Sequence, residues 1–164
     1  MASCADGNNG IAGFYEIPRR MAYANAITIA FNGSPLTTKL HPYEFGAKDD
    51  VAVAVAREQG GAPLPVEALI FIQAQLNSER WRFSYYRKCF RAKLGRTLVE
   101  LPEKRPGVPD IQFMVAAVRA QPYWWFLAPR LKNWVTRAPR HHSPDMALEN
   151  GDGGSVRKTV KRAI

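Results

Sequence analysis

The segment of residues 80–96, RWRFSYYRKCFRAKLGR, holds the side chains of this sequence that are best suited to binding chemistry. It contains seven Lys or Arg, no acidic residue, and five aromatic residues between the charges. Such cations gain free energy by neutralising phosphates and releasing counterions, and flat rings contact sugars or stack on bases. A solvated charged face normally mixes both signs. The segment therefore favours a nucleic-acid partner, against the alternative of a charged helix or loop whose aromatics point into the core.

The excess of positive over negative charge lies in the second half of the chain. The 164 residues carry a formal net charge of +9, to which residues 1–77 contribute −2, residues 78–127 contribute +6 and residues 128–164 contribute +5. This excess predicts a polyanionic partner, either nucleic acid or an anionic membrane surface. A membrane-surface helix needs a continuous apolar stripe, which the aromatic positions in residues 80–96 do not form. Nucleic acid is the better interpretation.

The side chains that could support catalysis lack the partners that such chemistry needs. The sequence has no methyltransferase motif of Asp/Asn-Pro-Pro-aromatic type, and SPDM at 143–146 lacks the second proline. Pro109-Asp110 is not followed by the Glu-x-Lys of a nuclease, so we expect Asp110 to begin a helix. His141-His142 has no Cys or His at metal-site spacing. Cations around Cys89 would lower its pKa, but no His–acid arrangement supports a nucleophile. We expect no enzyme activity, metal or cofactor.

The periodicity of the chain predicts an α+β fold. Strands are predicted from alternating or β-branched runs and from the Asn-Gly turn signal, and helices from apolar residues at helical spacing. The predicted strands are 10–17, 26–31, 36–40, 49–56 and 96–102; the predicted helices are 65–76 and 110–120. We expect a small mixed or antiparallel sheet with two or three packed helices and a disordered basic tail.

The composition along the chain suggests three regions. Small polar residues predict a flexible N-terminus over 1–9, a domain follows over 10–127, and residues 128–164 form a basic tail that we expect to be largely disordered from about 137. The two cysteines, Cys4 and Cys89, fit reduced thiols. Without a secretory signal or an apolar run of membrane length, we expect a soluble cytoplasmic protein.

The order of several motifs resembles a target recognition domain of restriction-modification systems. The segments are NNGIAGFYE, NAITIAFNGSP, HPYEFGAKDDVAV, FSYYRKCFRAKL, VELP and PDIQFM…VRAQPY, and they run from Asn8 to Tyr123. The similarity is to the specificity module of type I systems and of related fused or two-subunit enzymes. Because the chain starts almost on the first motif and shows no sustained heptad pattern, we expect a truncated or single-domain form.

The resemblance implies a non-catalytic module that reads double-stranded DNA and directs an adenine-N6 methyltransferase subunit, with a nuclease subunit and a homodimer left open. From the residues themselves, we expect no membrane partner. The expected DNA-binding residues are Arg82, Tyr85, Arg87, Lys88, Arg91, Lys93, Arg96, Asn32 and Ser34. The expected partner-binding residues are Tyr123, Trp124, Trp125 and Phe126.

The chain departs from the family pattern at two positions where glycine is usual, Tyr86 and Leu36. Glycine permits backbone conformations that other residues resist, so we expect altered loop geometry at both positions. Other hypotheses stay open beside DNA recognition. The chain could be a protein-interaction module or a degenerate remnant without sequence-specific DNA binding. It could also be a small hydrolase or nuclease with an unusual site.

Overall fold

A computed structural model describes residues 1–55 and 63–135 of the chain, except for the side chains of Arg91 and of residues 133–135. Its strands are β1 (Ala26–Ala30), β2 (Thr38–His41), β3 (Val51–Ala54), β4 (Glu103–Arg105) and β5 (Val108–Pro109). Its α-helices are α1 (Val66–Ser78), α2 (Arg91–Leu94), α3 (Ile111–Arg119) and α4 (Trp124–Val135). The expected α+β fold with a small antiparallel sheet is confirmed.

The main sheet has the order β2-β1-β3, with both pairs antiparallel. β1 is buried along its whole length because both faces of the sheet are covered. Ile27 and Ile29 point to the face on which α1 packs, together with Leu69 of that helix. The predicted alternation in β3 is present, and Val53 packs on the opposite face with Phe45. Side chains that alternate along these strands therefore pack into two cores, the larger on the α1 face of the sheet and the smaller on the opposite face.

The second face of the sheet is covered by the N-terminal segment. Ala2 is fully buried and bridges to Ile11 and Ala47, and the N-terminal ammonium donates to the carbonyl of Gly13 at 2.8 Å. Of residues 1–9, expected to be a flexible N-terminus, residues 1–4 thus lie packed on the sheet, whereas residues 5–9 are exposed. The strand expected over 10–17 does not form. The amide of Ala12 donates to the carbonyl of Met1. This segment therefore forms backbone hydrogen bonds with the N-terminal residues and not with a strand of the sheet.

The helices α1 and α3 pack together and complete the larger core. Asp110 caps α3 by accepting a hydrogen bond from the Phe113 amide at 2.9 Å, as expected for a helix start. The Arg119 guanidinium donates to the buried Glu67 carboxylate at 2.8 Å and 3.0 Å, which ties α3 to the first turn of α1.

The region between α2 and α3 differs from the prediction. Residues 96–102 do not form the expected strand; Leu101 packs on the core, and the short hairpin β4–β5 follows. Helix α4 runs across position 127/128, where the sequence suggested the start of the tail. The disorder expected from about 137 concerns residues outside the described part. None of the helices within residues 1–55 and 63–135 has the length and hydrophobicity of a membrane span.

Candidate nucleic-acid interface

The tip of the basic segment, residues 80–96, is a tight turn at residues 84–87, called here the aromatic turn. Ser84 and Arg87 exchange backbone hydrogen bonds of 3.3 Å and 3.0 Å, so Tyr85 and Tyr86 lie at the tip. Tyr86 is 97% exposed and closes the turn without a positive φ. The turn therefore does not need a glycine at position 86, where the resemblance drawn from the sequence led us to expect one.

Four of the five aromatic residues in the basic segment face solvent. Trp81 is 76% exposed, and Tyr85, Tyr86 and Phe90 are also exposed, whereas Phe83 packs against the core. The alternative in which the aromatics point inward thus holds only for Phe83. Exposing an aromatic ring to water costs free energy. Cations lie over two of these rings: the Arg82 guanidinium is 5.4 Å from the centroid of a Trp81 ring, and the Lys88 ammonium is 5.6 Å from that of Tyr85.

Cys89 anchors the basic segment. It is fully buried in the core that α1 and Met114 share. Burial raises the pKa of its thiol, and the nearby Lys93 lowers it by less. The expectation that neighbouring cations would lower this pKa is therefore wrong, because the chain directs the cations outward and the thiol inward. Cys89 holds the segment on the domain as a small apolar residue.

Four cations of the basic segment converge on one surface cleft. Arg82, Arg87, Lys93 and Arg96 line a cleft of about 360 Å³ together with Phe83 and Thr97. Arg82 is paired with Glu79 at 2.6 Å. Within the described part of the chain, no carboxylate pairs with Arg87, Lys93 or Arg96, and all three side chains are exposed. The arrangement leaves a concentrated positive potential that is free to attract an anion.

A second cleft of about 480 Å³ brings two distant motifs together. One side is formed by the Asn-Gly turn, residues 32–35, through Gly33, Ser34 and Pro35. The other side is formed by Arg80, Trp81, Phe83, Ser84 and Tyr85, with Asn77 of α1 between the two sides. The structure thus brings Ser34 and Tyr85, both expected to bind DNA, to the same cleft.

The remaining predicted residues have different surroundings. Lys88 donates to the Asn32 Oδ1 at 3.0 Å, so both polar groups have a partner within the protein. Arg91 begins α2, and its side chain lies outside the described part. Trp124 is half-buried, while Tyr123, Trp125 and Phe126 are exposed at the start of α4. Arg130 lies over the Phe126 ring at 3.6 Å.

Sequence reasoning did not identify the residues that support the cleft of about 480 Å³. Asn77 and Gln73 form hydrogen bonds with the backbone of Thr38, and Asp6 accepts from the Ser34 hydroxyl at 3.4 Å. Gln73 and Asn77 are four residues apart, which places two amides on one side of a helix. That spacing was the signal in the sequence from which a polar contact of this helix with a neighbouring element could have been inferred. Nothing local in the sequence connects Asp6 with Ser34, because 28 residues separate them.

The residues considered for catalysis have structural roles or lie outside the described part. Asp110 caps α3. His141, His142 and residues 143–146 belong to the part that the structure does not describe. Within residues 1–55 and 63–135, no three His, Cys, Asp or Glu side chains are grouped as for a metal ion.

A comparison with curated proteins relates the sequence of this chain to a subunit of a restriction enzyme. Over 109 residues, which are 66% of this chain, the sequence is 27% identical to the type II restriction enzyme BgcI specificity subunit S.BcgI of Heyndrickxia coagulans. The chain is similar to a specificity subunit. It covers 31% of that protein and so spans about a third of its length. No family model matches the chain, and no solved structure does.

Proposed function

We propose that this chain is a non-catalytic DNA recognition module that directs a partner adenine-N6 methyltransferase or restriction enzyme to its target. The similarity to a specificity subunit supports the class of module. The order of motifs from Asn8 to Tyr123 supports a target recognition domain like those of type I systems and related two-subunit enzymes.

The observation that carries the proposal is the convergence of Arg87, Lys93 and Arg96 on one cleft, with no carboxylate partner among residues 1–55 and 63–135. Each such cation gains free energy when it replaces condensed counterions at a phosphate. Arg82 contributes less because Glu79 already neutralises part of its charge. The three free cations would hold the phosphate backbone and fix the orientation of the module on the duplex.

Base reading belongs to the second cleft and its rim. Tyr85 and Ser34 line this cleft, and the Ser34 hydroxyl also donates to Asp6 at 3.4 Å. A tyrosine ring stacks on or contacts an extruded base, and a hydroxyl accepts from or donates to several base edges. The side chains at this cleft would therefore supply the sequence preference, while the neighbouring cations supply most of the affinity.

The proposal is tested by removing two charges at different places on the surface. Arg87→Ala/Arg96→Ala should lower the affinity for duplex DNA roughly tenfold or more and reduce the slope of log K against log salt by about two. Arg19→Ala/Arg20→Ala removes the same charge from exposed positions in the acidic half of the chain and should leave both quantities nearly unchanged. Equal losses in the two variants, measured by fluorescence anisotropy, would contradict the assigned surface.

A partner subunit is expected to dock at the start of α4. Tyr123, Trp125 and Phe126 expose large aromatic rings at the start of this helix, where Trp125 and Phe126 contact each other edge to face, and such residues are enriched at protein interfaces. Trp125→Ala/Phe126→Ala should abolish co-purification with an adenine methyltransferase encoded beside this chain, with DNA affinity retained. Phe14→Ala, which removes a 97% exposed ring elsewhere, is the control. Retained co-purification of the α4 variant would exclude this docking surface.

A further inference from the structure

Lys88 differs from Arg87, Lys93 and Arg96, which line the cationic cleft, because its ammonium has partners within the described part of the protein. It donates to the Asn32 Oδ1 at 3.0 Å, across 56 positions of sequence, and it lies over the ring of Tyr85 at 5.6 Å. Lys88 is half-buried, and it directly precedes the fully buried Cys89 in the chain. Arg87, Lys93 and Arg96 are exposed by comparison.

This hydrogen bond connects the two sides of the larger cleft. Asn32 belongs to the Asn-Gly turn, and Lys88 directly follows the aromatic turn. Within the described part of the chain, no other hydrogen bond joins these two turns. The Asn-Gly turn is also held from its other side, where Ser34 donates to Asp6 at 3.4 Å. The Lys88–Asn32 contact therefore bridges the two turns that flank the cleft.

We propose that Lys88 is a positioning residue that sets the spacing of the two turns, and that it does not contact a phosphate. This inference rests on the proposed DNA-recognition function and specifies how its reading cleft is held open. A half-buried ammonium that gives up its acceptor loses a charge-assisted hydrogen bond, and the Asn32 carbonyl loses its donor. The ammonium over the Tyr85 ring also orients that ring toward the cleft. Asn32 then supports the cleft, and its Oδ1 does not read a base.

Salt dependence distinguishes a positioning residue from a phosphate contact. Lys88→Met removes the ammonium and keeps the apolar stem, and Lys93→Met makes the same chemical change at an exposed position of the cationic cleft. Lys93→Met should reduce the slope of log K against log salt by about one. Lys88→Met should weaken DNA binding several-fold with the slope unchanged. A slope reduced by about one in Lys88→Met would overturn the proposal.

A double-mutant cycle tests whether Lys88 acts through Asn32. Asn32→Ala should lower the affinity as much as Lys88→Met, and the double variant should lose no more than either single variant, because each change breaks the same contact. Lys88→Arg, which keeps a donor within reach of Asn32, should restore most of the affinity. Additive losses in the double variant would overturn the proposal, and equal unfolding midpoints would show that all variants are folded.

The free protein provides a reading that does not depend on DNA. Amide hydrogen exchange of residues 32–37 should accelerate in Lys88→Met and remain unchanged in Lys93→Met, because only the first change releases the Asn-Gly turn. Unchanged exchange in both variants would overturn the positioning role even if DNA binds. If the unmodified chain fails to bind duplex DNA, the proposed function fails, and the exchange experiment still decides the role of Lys88.

Discussion

Leu36 adopts a backbone conformation that leucine normally avoids. Its φ is +63° and its side chain is fully buried in the larger core, at the position where the resembling family usually has glycine. A left-handed conformation costs a non-glycine residue about 1–2 kcal/mol, whereas burying a leucine side chain contributes about 1.5–3 kcal/mol. Burial offsets the strain, and the Asn-Gly turn gains an anchor in the core that glycine could not provide.

The order of stability of two Leu36 variants should therefore be unusual. Both Leu36→Ala and Leu36→Gly should destabilise the fold by about 2–5 kcal/mol, because each removes the buried side chain. Leu36→Gly should be the more stable of the two by roughly 1 kcal/mol, since glycine accepts a positive φ. Urea unfolding measures both values. At Leu69, buried within α1, alanine should be the more stable variant by about 1 kcal/mol, and the same order at both positions would contradict the argument.

His41 makes stability depend on pH. It is fully buried, its Nε2 lies 2.9 Å from the Thr28 hydroxyl, and its Nδ1 lies 3.3 Å from the hydroxyl of Tyr43. Burial, followed by the charges of Lys39 and the N-terminal ammonium, lowers its pKa from 6.5 to about 4. Between these two values the unfolded chain binds a proton that the folded chain does not, so stability falls as pH falls through this window.

From pH 7 to pH 5, the His41 contribution should lower the free energy of unfolding by about 2 kcal/mol. His41→Gln removes the titrating group and should lose most of this dependence, while keeping an amide that can bond to Thr28. Urea unfolding at both pH values measures the difference. The same loss in the variant and in the unmodified chain would assign the effect to other groups.

At the scale of elements, α1 is the part of the fold that connects the sheet with the candidate interface. β2 is an edge strand, and edge strands expose unpaired backbone groups. Here the amide of Thr38 donates to Asn77 Oδ1 at 2.9 Å, and its carbonyl accepts from Gln73 Nε2 at 3.0 Å. Two side chains of one helix thereby replace a neighbouring strand, and they fix the end of α1 from which the basic segment continues.

Removing the Asn77 amide should leave the buried Thr38 amide unpaired. Asn77→Ala should destabilise the fold by about 1–3 kcal/mol, while Asn77→Asp retains the acceptor and should recover most of the loss. Gln75→Ala, which deletes an amide two positions away on the same helix, is the matched control. Thermal unfolding measures the three variants, and an equal effect of Gln75→Ala would show that helix propensity, not the contact with β2, decides the result.

At the scale of the whole molecule, charge is separated along the chain and in space. Residues 1–77 carry a net charge of −2 and residues 78–127 a net charge of +6, and the cations of the second part converge on one cleft. If Arg87, Lys93 and Arg96 each neutralise one phosphate, log K for duplex DNA should fall with log salt with a slope of about −3. Titrations between 50 and 200 mM salt measure this slope. A slope near zero would contradict electrostatic binding by this face.

The sequence by itself determined the features that depend on local pattern. Alternation predicted β1 and β3, helical spacing predicted α1 and α3, and Asp110 was identified as a helix start, because each of these signals acts over a few residues. The predictions over 10–17 and 96–102 were wrong for the complementary reason. A strand needs a partner, and the partner is chosen by packing at long range.

Only the tertiary structure decided which charged groups are free and which are paired. No local pattern distinguishes Lys88 from Lys93, yet one ammonium binds Asn32, 56 positions away, and the other is exposed. Likewise Cys89 lies among cations in the sequence but is buried in the core. Composition sets the amount of positive charge. Contacts between distant segments decide which charged side chains are paired within the protein and which are exposed to solvent, because burial and hydrogen bonding depend on neighbours in space.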